Sequence, residues 1–183
     1  IKRYAFDDCT ALKSVIIPDS VETIEYSVFA DCTSLESVKI GNSVKTIGDS
    51  VFKNCKKLTS VVIPDSVITI DGYIFKNCTS LESVVIGKNV TSIGERAFVN
   101  CEKLGSIIIP DSVETIGRNA FYKCTSLKSA KIGTGLKSLS KEMLKNCTSL
   151  EEIIIPDSVA TLEDEAFENC TSLKTVYIGS GVT

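Results

Sequence analysis

Apolar residues return at fixed phases along the whole chain, 23 positions apart, without an insertion or deletion. A leucine column runs from Leu12 to Leu173. Three residues later comes a mostly β-branched column (Val15, Val38, Val61, Val84, Ile107, Ala130, Ile153, Val176), and two after that an unbroken isoleucine column from Ile17 to Ile178. A valine column from Val21 to Val182, varied only by Leu136, precedes Ile24, Ile47, Ile70, Ile93, Ile116, Leu139 and Leu162. Phenylalanines from Phe6 to Phe167, broken by Leu144, and cysteines from Cys9 to Cys170 complete the pattern. One interval kept through eight copies predicts one unit stacked eight times, a solenoid over residues 1–183 in which function belongs to a repeated surface.

The spacing assigns a conformation to most of the unit. Val15-x-Ile17 alternates with period two in a β-branched run, so it predicts a short strand with both side chains pointing inward. Pro18, Pro64, Pro110 and Pro156, alternating with Gly41, Gly87, Gly133 and Gly179, end those strands. Val21 and Ile24 suit a second short extended piece or a turn. The segment GDSVFKNC (Gly48 to Cys55) predicts one or two helical turns, opened by Asp49 or Ser50, with Val51, Phe52 and Cys55 on one face. Stacking then pairs the strands in parallel at about 4.8 Å. Outer helical turns need about 8–10 Å, and the mismatch predicts a right-handed arc with its sheet on the concave side. Short or 3₁₀-like outer turns would flatten it.

The segment LxxVxI followed by Pro or Gly, as in LESVKIGNSV, resembles the LxxLxLxxN consensus of leucine-rich repeats, with Ser20, Ser43, Ser66, Asn89, Ser112 and Ser158 at the asparagine position. The remaining half, VxTIGxxAFxNCTSL, resembles the 23-residue BspA-like, or treponemal, class of that family, and the likeness covers the chain. It departs locally at Gly135 and Gly181 and in SLSKEMLKNC, where Met143 and Leu144 stand in for the aromatic. The resemblance implies a leucine-rich repeat solenoid, mainly β or α/β, and a non-enzymatic module of microbial surface or secreted proteins that adhere to host matrix proteins or neighbouring cells. The chain opens and closes inside repeats without polar caps, as a fragment of a longer solenoid would.

Charge narrows the partner. With 20 basic and 23 acidic residues mixed along the chain and a net charge of −3, there is no cationic track for nucleic acid and no polybasic patch for a membrane surface. No apolar run is long enough to span a bilayer. No feature of the chain points to a particular oligomeric state.

Eight cysteines in one structural position read as small buried hydrophobes, in preference to disulfides between adjacent coils or a thiolate-held metal. No CxxC pair exists and the chain has no histidine, which removes Ser–His–Asp, Cys–His and His-based acid–base chemistry. Neither a cofactor nor a metal is expected. The regular carboxylates Asp19, Asp65, Asp111 and Asp157 follow strand-ending prolines in alternate coils. At about 10 Å apart they suit turns better than a catalytic pair. The 46-residue alternation of IPDSV with IGxxV reads as duplication of a two-coil unit. Four Asn-x-Thr sequons, at Asn77, Asn89, Asn146 and Asn169, arise mostly from the repeat.

The surface left for a specific task is the exposed side of the first strand set. Its outward residues run Ile16, Lys39, Val62, Val85, Ile108, Lys131, Ile154 and Tyr177, beside a small polar column from Ser14 to Thr175. This stripe is the candidate partner-binding site for a protein ligand. Val62, Val85 and Ile108 form its centre, and Lys39, Lys131 and Tyr177 supply polar or amphipathic contacts. β-Branched packing along the ladder would also favour such a stripe, and an array serving as a passive spacer for another domain is the competing reading.

Overall fold

Alternation just past each leucine produces the first strand set, as the spacing predicts. In the computed structural model, which describes residues 1–183, these are β1 (Ser14–Ile16), β3 (Ser37–Lys39), β5 (Ser60–Val62), β7 (Ser83–Val85), β9 (Ser106–Ile108), β11 (Ser129–Lys131), β13 (Glu152–Ile155) and β15 (Thr175–Ile178). The valine-to-isoleucine piece is extended as well. It gives β2 (Thr23–Ile24), β4 (Thr46–Ile47), β6 (Thr69–Ile70), β8 (Ser92–Ile93), β10 (Thr115–Ile116), β12 (Ser138–Leu139) and β14 (Thr161–Leu162). Every pair is parallel and in chain order, with equivalent residues in register: Val15 lies opposite Val38, and Thr23 opposite Thr46. Coils are numbered here by their cysteine, from coil 1 with Cys9 to coil 8 with Cys170.

The inward columns merge into one core of 49 buried residues. Its spine is a stack of buried rings, Phe29, Phe52, Phe75, Phe98 and Phe121, continued in the first coil by the exposed Phe6, with centroids 5.1–5.7 Å apart and planes within 23° of parallel. Coil 7 places Leu144 there and fills the freed space with Met143, where coils 2, 3 and 4 have Val28, Val51 and Ile74 beside a phenylalanine; all are buried. This is a near volume-conserving exchange.

The outer segment is not helical, contrary to the sequence expectation. Each coil turns there through two overlapping β-turns, for example Ala30 N to Ser27 O and Cys32 N to Phe29 O, and two residues four apart adopt positive φ, such as Ser50 (57°) and Asn54 (60°). Ser50 therefore caps nothing. The apolar spacing of Val51, Phe52 and Cys55 mimics a helix because both arrangements turn one face inward. What decides the matter is the neighbouring coil. The amides of Ser27, Phe29 and Asp31 donate to the carbonyls of Asp49, Val51 and Lys53 at 2.8–3.0 Å, and this pattern recurs along the stack. A helix would spend those groups internally. The outer layer is thus hydrogen-bonded coil to coil, its rings are spaced 5.1–5.7 Å apart, and the 8–10 Å helical spacing invoked for a pronounced arc is absent.

The Pro/Gly alternation, read from sequence as a trace of duplication, proves to be a packing device. A Cβ on Gly41 would lie 2.7 Å from the Pro18 carbonyl of the preceding coil, and Gly87, Gly133 and Gly179 meet Pro64, Pro110 and Pro156–Asp157 in the same way. Glycine is required there by close approach of two backbones. The tight contact lets each aspartate accept the amide after the glycine: Asp19 from Asn42, Asp65 from Lys88, Asp111 from Thr134 and Asp157 from Ser180, at 2.6–2.9 Å. At these odd-to-even junctions the first ladder is complete, with three or four paired residues. Even-to-odd junctions are fastened differently, by Ser66 and Ser112 donating to the carbonyls of Val44 and Val90 at 2.7 Å. There β3 and β5 share only Ser37 and Ser60, and β7 and β9 form no ladder, while β11 and β13 pair fully. The second ladder lapses between β10 and β12, where the drifting SLSKEMLKNC segment begins. Ser158, the counterpart of Ser66 in coil 7, has a buried hydroxyl without a partner.

Candidate functional site

Strand pleating places every residue of the predicted stripe on the outside of the first strand set, which forms two four-stranded sheets, β1-β3-β5-β7 and β9-β11-β13-β15. Ile16, Val62, Val85, Ile108, Ile154 and Tyr177 are 55–77% exposed, and Lys39 and Lys131 are exposed beside them. The inward partners Val61, Ile107 and Ile153 on the same strands are 2% exposed or less. A one-residue slip would exchange these two sets, and the in-register ladder prevents it. Ser14, Ser37, Ser60, Ser83, Ser106 and Ser129 form a second exposed row on the same face. The aliphatic row therefore stands as a ridge above a shallow serine-floored trough.

Two depressions shape this face. One lies over β11, between Ile108 and Ile154, with Lys131, Glu152, Ser106 and Ser129 at its edge. The other joins Ile154 and Tyr177 to Thr134 and Asp157. The second places Asp157 on one flank of the stripe, and the repeat sets Asp65 and Asp111, which follow the same proline, at the equivalent position of coils 3 and 5. Sequence reasoning assigned them to turns and missed this flank, because it depends on where the next coil sits. Backbone and side-chain hydrogen bonding to Lys88 holds the Asp65 carboxyl below the usual range, and Thr134 does the same for Asp111. Asp65 also pairs with the Lys88 ammonium at 3.2 Å. These carboxylates are thus fastened to the next coil, Asp111 through one oxygen and Asp65 through both.

The thiols occupy the interior from Cys32 to Cys147, while Cys9 is exposed and Cys170 half-buried in the terminal coils, which departs from the expected eight interior thiols. Each thiol from Cys32 onward donates to the carbonyl at the aromatic position of the preceding coil, as Cys55 does to Phe29 at 3.2 Å. That carbonyl already accepts the Cys32 amide, so the thiol uses its second lone pair. Burial pushes Cys32 up to about 11 and Cys124 up to about 12. At pH 8 an aromatic disulfide reagent is expected to titrate only Cys9 rapidly and Cys170 slowly, with the remaining six reacting on unfolding; more than two reactive thiols in the folded protein would contradict this.

No group of three or more His, Cys, Asp or Glu side chains is arranged to hold a metal ion, and no helix is long and apolar enough to cross a membrane. The sequon amides have structural work. Asn100, Asn77 and Asn54 form a ladder ending on Asp31, at 2.7–2.8 Å. Asn169 donates to Asn146 at 3.0 Å, and Asn89 to the Asp65 carbonyl at 2.8 Å.

Comparison with known proteins agrees with this architecture. A family model described as BspA type leucine rich repeat region matches in six copies, over residues 1–128 and 69–183. A leucine-rich repeat protein from Bacteroides ovatus is similar at 30% identity and a TM-score of 0.86, covering 93% of this chain and 46% of that one. The Treponema pallidum leucine rich repeat protein is 27% identical, with a TM-score of 0.81, over 88% of this chain and 78% of its own. A leucine-rich repeat protein from Eubacterium ventriosum shares the fold, with a TM-score of 0.73, at 24% identity over 94% of this chain and 50% of that one. The chain thus spans less than half of the Bacteroides protein. No protein of curated function matches it.

Proposed function

This chain belongs to the BspA type leucine-rich repeat family, and on that premise we propose that it is a non-enzymatic protein-binding module of a microbial cell-surface or secreted protein. It docks a host matrix or neighbouring-cell protein on its first strand face. The observation that carries this reading is the aliphatic ridge, exposed on the outside of strands whose inward residues are buried from Val61 to Ile153, although Val176 and Ile178 of the last strand are exposed. Val62, Val85 and Ile108 are consecutive in the stack and form its centre. Exposed apolar residues in a contiguous row, with Lys39 and Lys131 on either side of that centre, match the anatomy of a recognition surface.

The test is a binding panel of matrix proteins and surface proteins of neighbouring cells, followed by Val85→Glu on whichever partner binds. Val85 is 58% exposed, so the substitution is expected to leave unfolding within about 0.5 kcal/mol. A carboxylate desolvated at the centre of the docked face should weaken binding by roughly 100-fold or more. Unchanged affinity would remove this face from consideration and leave the spacer role.

A further inference from the structure

We infer that the partner presents an amphipathic α-helix laid along the solenoid axis, with aliphatic side chains over Val62, Val85 and Ile108 and carboxylates reaching Lys39 and Lys131. This rests on the docking reading above and names the chemistry of the partner.

Three observations lead there. The face offers side chains only, because the backbone groups of its parallel strands point along the axis to neighbouring coils, where ladders pair them at the odd-to-even junctions. An extended peptide therefore finds no edge to pair with on this surface. Second, the ridge has a period. Lys39, Val62, Val85, Ile108 and Lys131 are one coil apart, at about 0, 4.8, 9.6, 14.4 and 19 Å along the axis. Residues i, i+4, i+7, i+11 and i+14 of a helix share one face and rise by about 0, 6, 10.5, 16.5 and 21 Å, which keeps all five within about 2 Å of a coil position. A strand repeats its face every 6.6–6.8 Å or so and loses register by the third residue.

The third observation is charge. Lys39 and Lys131 are the only charged members of the outward row, both exposed, and neither belongs to an ion pair. They bracket the three central aliphatics. Their complement is a helix with an acidic residue at each end of its apolar stripe. The flank bearing Asp65 and Asp111 asks for neutral or basic residues on the adjoining helix surface, so the match has a direction as well as a period.

The experiment uses synthetic alanine-based peptides carrying Glu-x3-Leu-x2-Leu-x3-Leu-x2-Glu, locked helical by a side-chain staple. A second peptide has lysine for both glutamates, and a third has the first peptide's composition in strict alternation. The acidic helix is expected to bind the protein at least tenfold more tightly than either. The doubly reversed protein, Lys39→Glu with Lys131→Glu, should prefer the lysine helix instead, with an unchanged circular dichroism spectrum. Equal or tighter binding of the alternating peptide, a preference that survives charge reversal, or no binding of any peptide would each overturn the helix assignment. Retention of a protein partner by Val85→Glu would overturn the docking reading beneath it.

Discussion

Replacing Phe75 with alanine is expected to cost about 3–5 kcal/mol of stability, which for a chain of this size lowers the unfolding midpoint by roughly 6–20 °C. Phe75 is fully buried, and its ring stacks between those of Phe52 and Phe98 at 5.6 and 5.3 Å. Truncation removes contacts on both sides at once. The coil-to-coil hydrogen bonds from Phe52 N to Ile74 O and from Phe75 N to Ala97 O fix the spacing of the coils, so the gap cannot close. The protein supplies its own control. Copying the arrangement of coil 7 into coil 3, by Val51→Met with Phe52→Leu, nearly conserves volume at two buried positions and should cost less than about 1.5 kcal/mol. Calorimetry of the two variants checks the pair. Similar losses in both would mean that the aromatic stack itself, and not filled space, stabilises the core.

Gly87→Ala is expected to destabilise by about 1–3 kcal/mol, although alanine ordinarily stabilises a non-left-handed glycine position. The added methyl would fall inside contact distance of the Pro64 carbonyl, a backbone group that no rotamer change can move. Relief requires coils 3 and 4 to separate, which stretches the bond from the Lys88 amide to Asp65, now 2.9 Å. At Gly105 a Cβ would meet nothing within 4 Å. Gly105→Ala should therefore be neutral or stabilising by about 0.4–1 kcal/mol through the unfolded chain. Denaturant titrations of both variants decide it. Equal stabilities would show that the Pro–Gly contact carries no steric load.

The inward columns were legible in the sequence because each repeats a side chain whose burial depends on its own strand. Val61 and Val62 differ in fate only by pleat parity, so the exposed stripe followed from the same reading. The outer turn was not legible. Its second left-handed residue carries a signal, Asp or Asn in seven of eight coils (Asp8, Asp31, Asn54, Asn77, Asn100, Asn146, Asn169), in keeping with their tolerance of that conformation. The first, which runs through Tyr4, Ser27, Arg96 and Glu142, has no common chemistry. Its conformation comes from bonding to the next coil, information that no single repeat contains. The aspartate flank and the depression over β11 escaped for the same reason: they exist only between coils.

Alternating fastenings also constrain how such an array can change length. Removing one coil, for instance coil 2, would set Pro18 beneath Pro64 where only a glycine fits, and would bring Asp19 and Asp65 within about 5 Å of each other with like charge. Removing coils 2 and 3 together restores a proline-to-glycine junction, Pro18 to Gly87. Copy number in this lineage should therefore grow and shrink by even steps, and the heritable unit is the 46-residue pair, not the single 23-residue turn of the spiral.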